Sequence, residues 1–214
     1  MAHEKRRRKY VELESYDDGC LRPGERLAGA DEVGRGALAG PVVAAAVILP
    51  RASELVGVDD SKRLTEEERE RLFPLILGKA VAVGISFSHP SVIDRENVLN
   101  ASLMALARAV ENLRVPADLV LLDGRDRIDI PGRIVPVVGG DRMSLSIAAA
   151  SIVAKVTRDR LMRKLHKLHP VYNFISNKGY GTREHLDAIQ RHGMTAVHRR
   201  SYCLSAVENA PSLF

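Results

Sequence analysis

Two adjacent acids, Asp31-Glu32, close a short apolar stretch, Leu27-Ala28-Gly29-Ala30, and a third, Asp123, ends the most apolar run in the chain, Leu119-Val120-Leu121-Leu122. A fourth, Asp141, follows Gly139-Gly140 and stands just before a long segment of small and apolar residues. Carboxylates are depleted inside strands because a buried, unpaired negative charge is costly to desolvate, and a bound cation offsets that cost. Four such groups meeting at one sheet edge would make a hard, oxygen-only site of the kind that holds magnesium or manganese. Taken singly, each has a plainer reading: Asp31 and Glu32 end a strand, Asp123-Gly124 is a turn, and Asp141 caps a helix. Spacing alone does not prove that the four converge. Successive strand residues also point to opposite faces, so Asp31 and Glu32 share a site only if the backbone bends there, and Gly34 and Gly36 supply residues that bend easily.

These acids need elements to carry them. The residues from Arg26 to Val33 read as one strand and Val42 to Leu49, β-branched at both ends and bounded by Pro41 and Pro50, as the next, joined by a turn. Further strands are predicted over Ala80 to Ser88, Asp118 to Asp123 and Arg133 to Val138; the fourth is too apolar for an exposed edge. Thr65-Glu66-Glu67-Glu68 is a capping box that starts a helix. Val98 to Leu113 carries Leu99, Leu103, Leu106 and Val110 at helical spacing. A long helix follows from about Ser144 to His166, buried in its first half and basic in its second through Lys155, Arg158, Arg160, Arg163, Lys164 and Lys167, so that this end is expected to reach solvent or phosphate. Thr182 caps a last helix, which Gly193 ends after His192. No internal repeats or low-complexity tracts occur.

Composition narrows the classes. With 214 residues, 45% hydrophobic and 28% charged, the chain supports one full-sized α/β domain and is not a disordered polymer. A net charge of +5 suits a polyanionic partner, while many basic proteins bind no nucleic acid. Cys20 and Cys203 lie far apart in no paired motif, which speaks against a disulfide framework or a zinc cluster and for a reducing, cytoplasmic setting. The longest unbroken apolar run, Val42 to Leu49, is far short of the roughly 18 residues that span a bilayer, so no membrane is expected. Residues 1–20, with Lys5-Arg6-Arg7-Arg8-Lys9, read as a basic mobile arm that touches phosphate or is simply solvated.

Gly34-Arg35-Gly36-Ala37-Leu38-Ala39 formally fits the G-x-G-x-x-G/A dinucleotide fingerprint, with Asp59 and Asp60 about twenty residues on. That fingerprint requires a helix to begin at the glycines, whereas Pro41 and a strand-like run come next, and Asp31-Glu32 would repel a pyrophosphate.

The same residues carry a different likeness. Gly29-Ala30-Asp31-Glu32-Val33-Gly34-Arg35-Gly36 with Leu38-Ala39-Gly40-Pro41-Val42-Val43 resembles the opening signature of the bacterial ribonuclease HII family, the type 2 ribonucleases H. It continues through Asp60-Ser61-Lys62, Leu122-Asp123-Gly124, Gly140-Asp141 with Ser146 to Val156, Lys178-Gly179-Tyr180-Gly181-Thr182 and His198-Arg199-Arg200-Ser201, over roughly residues 27 to 203. The resemblance implies an α/β, ribonuclease H-like fold: a five-stranded mixed sheet flanked by helices, with a helical C-terminal part. It implies that Asp31, Glu32, Asp123 and Asp141 are catalytic metal ligands, that the Gly34-Arg35-Gly36 backbone approaches the ribose 2′-hydroxyl, and that Tyr180 packs at the RNA–DNA junction. The 2′-hydroxyl is the group that separates a ribonucleotide from its DNA neighbours. The position before Lys178 is Asn177, where the family pattern commonly carries histidine, which bears on fine positioning.

A substrate and mechanism follow as expectations. Two Mg²⁺ or Mn²⁺ ions roughly 4 Å apart would activate water and stabilise the leaving 3′-oxygen, with cleavage 5′ to a ribonucleotide in an RNA/DNA hybrid or in duplex DNA. Lys62, Lys155 and Arg35 are candidates for phosphate contacts, although each lysine is equally read as a surface or core-edge residue; His198, Arg199 and Arg200 would extend the basic face. Without the resemblance, Tyr180 reads as a turn residue packed on a helix. The expected organisation is an arm over 1–20, a catalytic core over 21–170 and a substrate-contacting helical part over 171–214, acting as a monomer. A short sliding-clamp-binding peptide near the end, 208–214, stays open. A binding module without turnover and a related metal nuclease acting on DNA junctions or long hybrids are the rival readings.

Overall fold

The computed structural model describes residues 2–202; Cys203 and the 208–214 stretch lie outside them. The chain begins with helix α1 (Ala2–Cys20) and continues through β1 (Leu27–Val33), β2 (Val42–Ile48), α2 (Glu66–Lys79), β3 (Ala82–Ser88), α3 (Pro90–Glu96), α4 (Val98–Glu111), β4 (Leu119–Asp123), β5 (Arg133–Val137), α5 (Leu145–Leu168), α6 (Phe174–Asn177) and α7 (Arg183–His192). Short 3-10 turns occupy Gly140–Arg142 and Pro170–Tyr172.

The strands form one sheet in the order β3-β2-β1-β4-β5. β2 runs antiparallel to β1 and β3, whereas β1, β4 and β5 run parallel, so the sheet is mixed. All seven residues of β2 are buried, because α5 covers one face of the sheet and α4 the other. A strand covered on both faces must be apolar throughout, which is what Val42-Val43-Ala44-Ala45-Ala46-Val47-Ile48 supplies. The alanines also let the helices come close. Gly29 goes further: a Cβ there would lie 2.1 Å from the Ser146 carbonyl carbon, so only glycine lets the start of α5 rest on β1.

The expected helix at Thr65 is present with its full capping box, and Ser144, Thr182 and Gly193 cap α5 and α7. The expected mobile arm over 1–20 is corrected: α1 lies against the core. Its inward face buries Tyr10, Leu13 and Asp17, and Tyr16 and Cys20 pack beside them against the cluster of Leu27, Leu119, Leu121 and Ile147. A face that includes an aspartate, in a segment otherwise full of charge, does not register as an amphipathic helix in sequence. Asp17 Oδ2 accepts the Ser146 amide at the first turn of α5 (2.9 Å), the Tyr10 hydroxyl accepts the Glu54 amide and Lys9 Nζ donates to the Arg142 carbonyl. No described helix is long and apolar enough to cross a membrane.

Candidate active site

The strand ends bring the acids together. Ala30 of β1 pairs with Leu122 of the parallel β4, so one rung further Asp31 and Asp123 stand side by side at the ends of the two strands. Both share the strand parity of Leu27, Leu119 and Leu121, which pack with Ile147 of α5, and both therefore face that helix. Asp123 Oδ1 accepts the Gly140 amide at 2.8 Å, which seats the turn carrying Asp141 against the end of β4. Glu32 stands on the other face of β1. The expected bend between Asp31 and Glu32 is absent: pairing with β2 runs unbroken through Asp31↔Ala45, Glu32↔Ala44 and Val33↔Val43. The chain turns only after Val33, at Gly34 (φ +94°).

The electrostatics are those of a site short of positive charge. Burial, then the charges of Glu32 and Asp123, push the Asp31 carboxyl well above the ordinary carboxylate range. Burial, followed by Asp123, also raises Glu32 against the pull of Arg35, whose guanidinium lies 3.3 Å away. Asp141 is raised by burial, Asp123 and Asp60, opposed by Lys62. Lys62 Nζ is 3.6 Å from Asp141 Oδ2 on a largely exposed side chain, and the charges of Asp141, Asp31, Asp60 and Asp123 outweigh its partial burial to raise its pKa. Among the described residues no three acidic or imidazole groups form an ion-binding set. The candidate donors are nonetheless all hard carboxylate oxygens with a deficit of cations around them, and this chemistry fits divalent magnesium or manganese.

Sequence reasoning missed the groups around the acids. Ser151, nearly two turns into the buried part of α5, hydrogen-bonds Asp31 and shares a 2.7 Å hydroxyl contact with Ser61. Asp60 is fully buried, receives the Lys62 amide and Arg142 Nε, and by these bonds is held below its usual range despite burial. The family-like Asp60-Ser61-Lys62 run was the signal available. Lys155, expected as a phosphate contact, is bound to buried Asp159 at 2.7 Å, with Arg69 3.8 Å from the same carboxylate.

The glycine-arginine loop is built on two buried cations. Arg158 donates to the carbonyls of Pro41, Ala39 and Lys178, and Arg199 to those of Gly34, Arg35 and Gly40. Both are 0% exposed, which corrects the expectation that they belong to a basic face. A guanidinium forks to several carbonyls at once, so each ties down loop residues that are, Lys178 apart, more than a hundred positions away in sequence. Gly34 is required here, since a Cβ would lie 2.2 Å from Arg158 Nε at a positive φ. Gly36 differs: nothing lies within 4 Å of where its Cβ would be. Leu38 and Ala39 amides donate to the Gly179 carbonyl, joining this loop to the Tyr180 segment.

Tyr180 is half-buried, with the Arg158 guanidinium 5.3 Å from its ring centroid. Asn177 is buried and accepts the Gly179 amide while donating to the Tyr172 carbonyl, so it shapes the turn before Tyr180. Behind it stands a pair of imidazoles. The Thr195 amide donates to His198 Nδ1, which puts the His198 proton on Nε2; that group donates to His185 Nε2 at 3.2 Å. His185 must then carry its proton on Nδ1, which donates to the Tyr180 carbonyl at 2.9 Å. The chain of bonds works only with both rings neutral. Burial, then the charges of His185 and His169, lowers His198 to about 4. His198 is thus a buried support, not part of a basic surface.

A mixed five-stranded sheet with acids gathered at the ends of neighbouring parallel strands defines the ribonuclease H-like class of hydrolases. Among solved structures, the crystal structure of ribonuclease H2 from Pyrococcus horikoshii OT3 superposes with a TM-score of 0.74 at 24% identity, covering 86% of this chain and 97% of that one. Bst-RNase HIII in complex with Mn²⁺ superposes at 0.67 and 20% identity, covering 87% and 70%; likenesses at these identities are of fold. The model of the Ribonuclease HII family matches residues 28–205, and the ribonuclease HII of Acetivibrio thermocellus is 47% identical over 94% of this chain and 79% of its own length. The chain belongs to the ribonuclease HII family and is a ribonuclease.

Proposed function

We propose that the chain is an endonuclease that hydrolyses the phosphodiester 5′ to a ribonucleotide, in RNA/DNA hybrids and at single ribonucleotides within duplex DNA, leaving 3′-hydroxyl and 5′-phosphate ends. The observation that supports this reading is the pairing of Asp31 and Asp123 at the ends of neighbouring strands, with Asp123 seating the turn that carries Asp141 and Glu32 on the opposite face of β1, beside a loop where nothing lies within 4 Å of a Cβ at Gly36. Asp31, Glu32, Asp123 and Asp141 would hold two divalent cations, Mg²⁺ or Mn²⁺. Such ions supply a nucleophile at neutral pH and neutralise charge on the phosphate and leaving oxygen.

The rest falls to the chain's own residues. Lys62, exposed beside Asp141, meets the phosphate. Arg35, on Glu32, can swing to a neighbouring phosphate when a cation takes over the carboxylate. Gly34, Arg35 and Gly36 present backbone to the ribose 2′-hydroxyl, and Gly36 leaves the room that close approach needs. Tyr180 packs at the ribonucleotide–deoxynucleotide junction, its carbonyl held by His185. Lys155 supports α5 through Asp159 instead of touching substrate. In the cell this activity serves ribonucleotide removal and RNA primer degradation. A DNA duplex containing one ribonucleotide, set beside the all-DNA duplex of the same sequence, tests the reading: cleavage only of the first, on the 5′ side of the ribonucleotide, is expected. Equal cleavage of both, or tight binding with no turnover in Mg²⁺ or Mn²⁺, would overturn it.

A further inference from the structure

Helix α1 carries five consecutive cations, Lys5-Arg6-Arg7-Arg8-Lys9, close to its N-terminus. Cations there repel one another and oppose the positive end of the helix dipole, so this stretch forms against a local cost. It is fixed all the same beside the acidic site. Asp17 holds the start of α5, Lys9 holds the carbonyl of Arg142, the residue after Asp141, and Arg6 pairs with Glu68 of α2. Lys5, Arg7 and Arg8 remain exposed, Arg8 in a largely solvated pair with Glu12.

At about 1.5 Å of rise per residue, positions 5 to 8 lie within roughly 6 Å of Lys9 along the helix axis. On the other side of Lys9 come the exposed side chains of Arg142 and Lys62. A strip of cations therefore leads from the carboxylates, through Lys62, Arg142 and Lys9, onto α1, where Lys5 stands one turn from Lys9 and Arg8 lies beside it on the exposed face, while Arg7 is about 160° around the helix from Lys9. Long flexible cations of this kind, with no aromatic ring or side-chain amide among them, suit phosphate oxygens and not base edges.

We infer that α1 is a sequence-independent contact for the sugar-phosphate backbone of the duplex flanking the cleavage site, through Lys5 and Arg8. This rests on the proposed nuclease activity and adds to it a surface outside the glycine loop and the Tyr180 segment.

The test compares the wild-type chain with Lys5→Ala/Arg8→Ala and with a charge-matched control on another face, Arg108→Ala/Arg114→Ala. Binding of a duplex with one ribonucleotide is measured against salt in an Asp123→Asn background, and kcat, KM and Tm in the active chain. The α1 variant is expected to keep kcat and Tm, raise Kd and KM about tenfold, and flatten the slope of log K against log salt by about 2, near 0.9 for each phosphate no longer neutralised. The control is expected to change the slope by less than about 1. An unchanged Kd and slope in the α1 variant, or an equal loss in the control, overturns the inference; so does a fall in kcat that tracks Tm, which would make α1 a brace only. A wild-type chain that binds the duplex through α1 but cleaves nothing would instead sink the nuclease reading and leave the contact standing.

Discussion

The two ends of the site treat charge in opposite ways. At the strand ends, buried carboxylates face one another with one exposed lysine among them, and burial and mutual repulsion push Asp31, Glu32 and Asp141 toward the neutral form. At the glycine-arginine loop, Arg158 and Arg199 are as deeply buried, yet each guanidinium is satisfied by three different backbone carbonyls. Charge left unsatisfied by the fold is charge kept for a ligand; charge satisfied within it holds shape. Loss of the first should cost activity and not stability, and loss of the second the reverse.

The largest separation is expected from Asp123→Asn. Cleavage should fall by roughly a thousandfold or more, since the ions lose a ligand, while the chain melts no lower than wild type in metal-free buffer. A single-turnover assay beside a melting curve reads both, and a parallel loss of Tm would erase the contrast. Next comes Arg158→Met, which strands three carbonyls under the loop. Chemical denaturation should show a loss of about 3 to 5 kcal/mol, at about 1 to 3 kcal/mol per orphaned buried group with partial relaxation.

The glycines sharpen the comparison within one loop. Gly34→Ala meets Arg158 at a positive φ and should cost about 2 kcal/mol or more. Gly36→Ala has open space and should change stability by less than about 0.5 kcal/mol. If Gly36 faces the ribose, that silent substitution will still lower kcat/KM for a single ribonucleotide; unchanged kinetics would remove Gly36 from recognition.

The last contrast concerns pH. His198 has a folded pKa of about 4 against an ordinary 6.5, in a cluster with His185 and His169 and with Glu184 facing His185. A depressed folded pKa means that the unfolded chain takes up the proton first, so this contribution is complete above about pH 6.5 and is lost as pH falls toward 4. Roughly 3 kcal/mol should disappear across that window, and His198→Gln should flatten the dependence. An identical pH profile in the variant would show that the imidazole pair does not support the Tyr180 turn.

Much of this was legible in the chain. β1, β2, β4 and β5 end within about two residues of their predicted limits because apolar runs flanked by Gly and Pro leave few alternatives, and the capping residues Thr65, Ser144 and Thr182 fixed three helix starts. The acids stood out because charge at the end of an apolar strand needs a reason. Arg158 and Arg199 did not. In sequence a basic residue late in a helix, or beside Arg200, looks solvated, and only carbonyls brought from residues 34 to 41 reveal its role. Helix α1 was missed because its inward face mixes Tyr10, Leu13, Tyr16 and Cys20 with Asp17 in a strongly charged segment, which leaves a weak pattern, and α3, seven residues long, begins at a proline that also reads as a turn.

The central claim is that the carboxylates at the strand ends form one site for divalent cations. Thermal melting of the wild-type chain and of Asp123→Asn during titration with Mn²⁺ addresses it without any substrate. A ligand that binds only the folded chain at a hundred times its Kd adds about 2.7 kcal/mol, which for a chain of this size raises Tm by roughly 5 to 10 °C. The wild type should show that rise and Asp123→Asn little of it; equal rises in both, or none in either, would contradict the assignment.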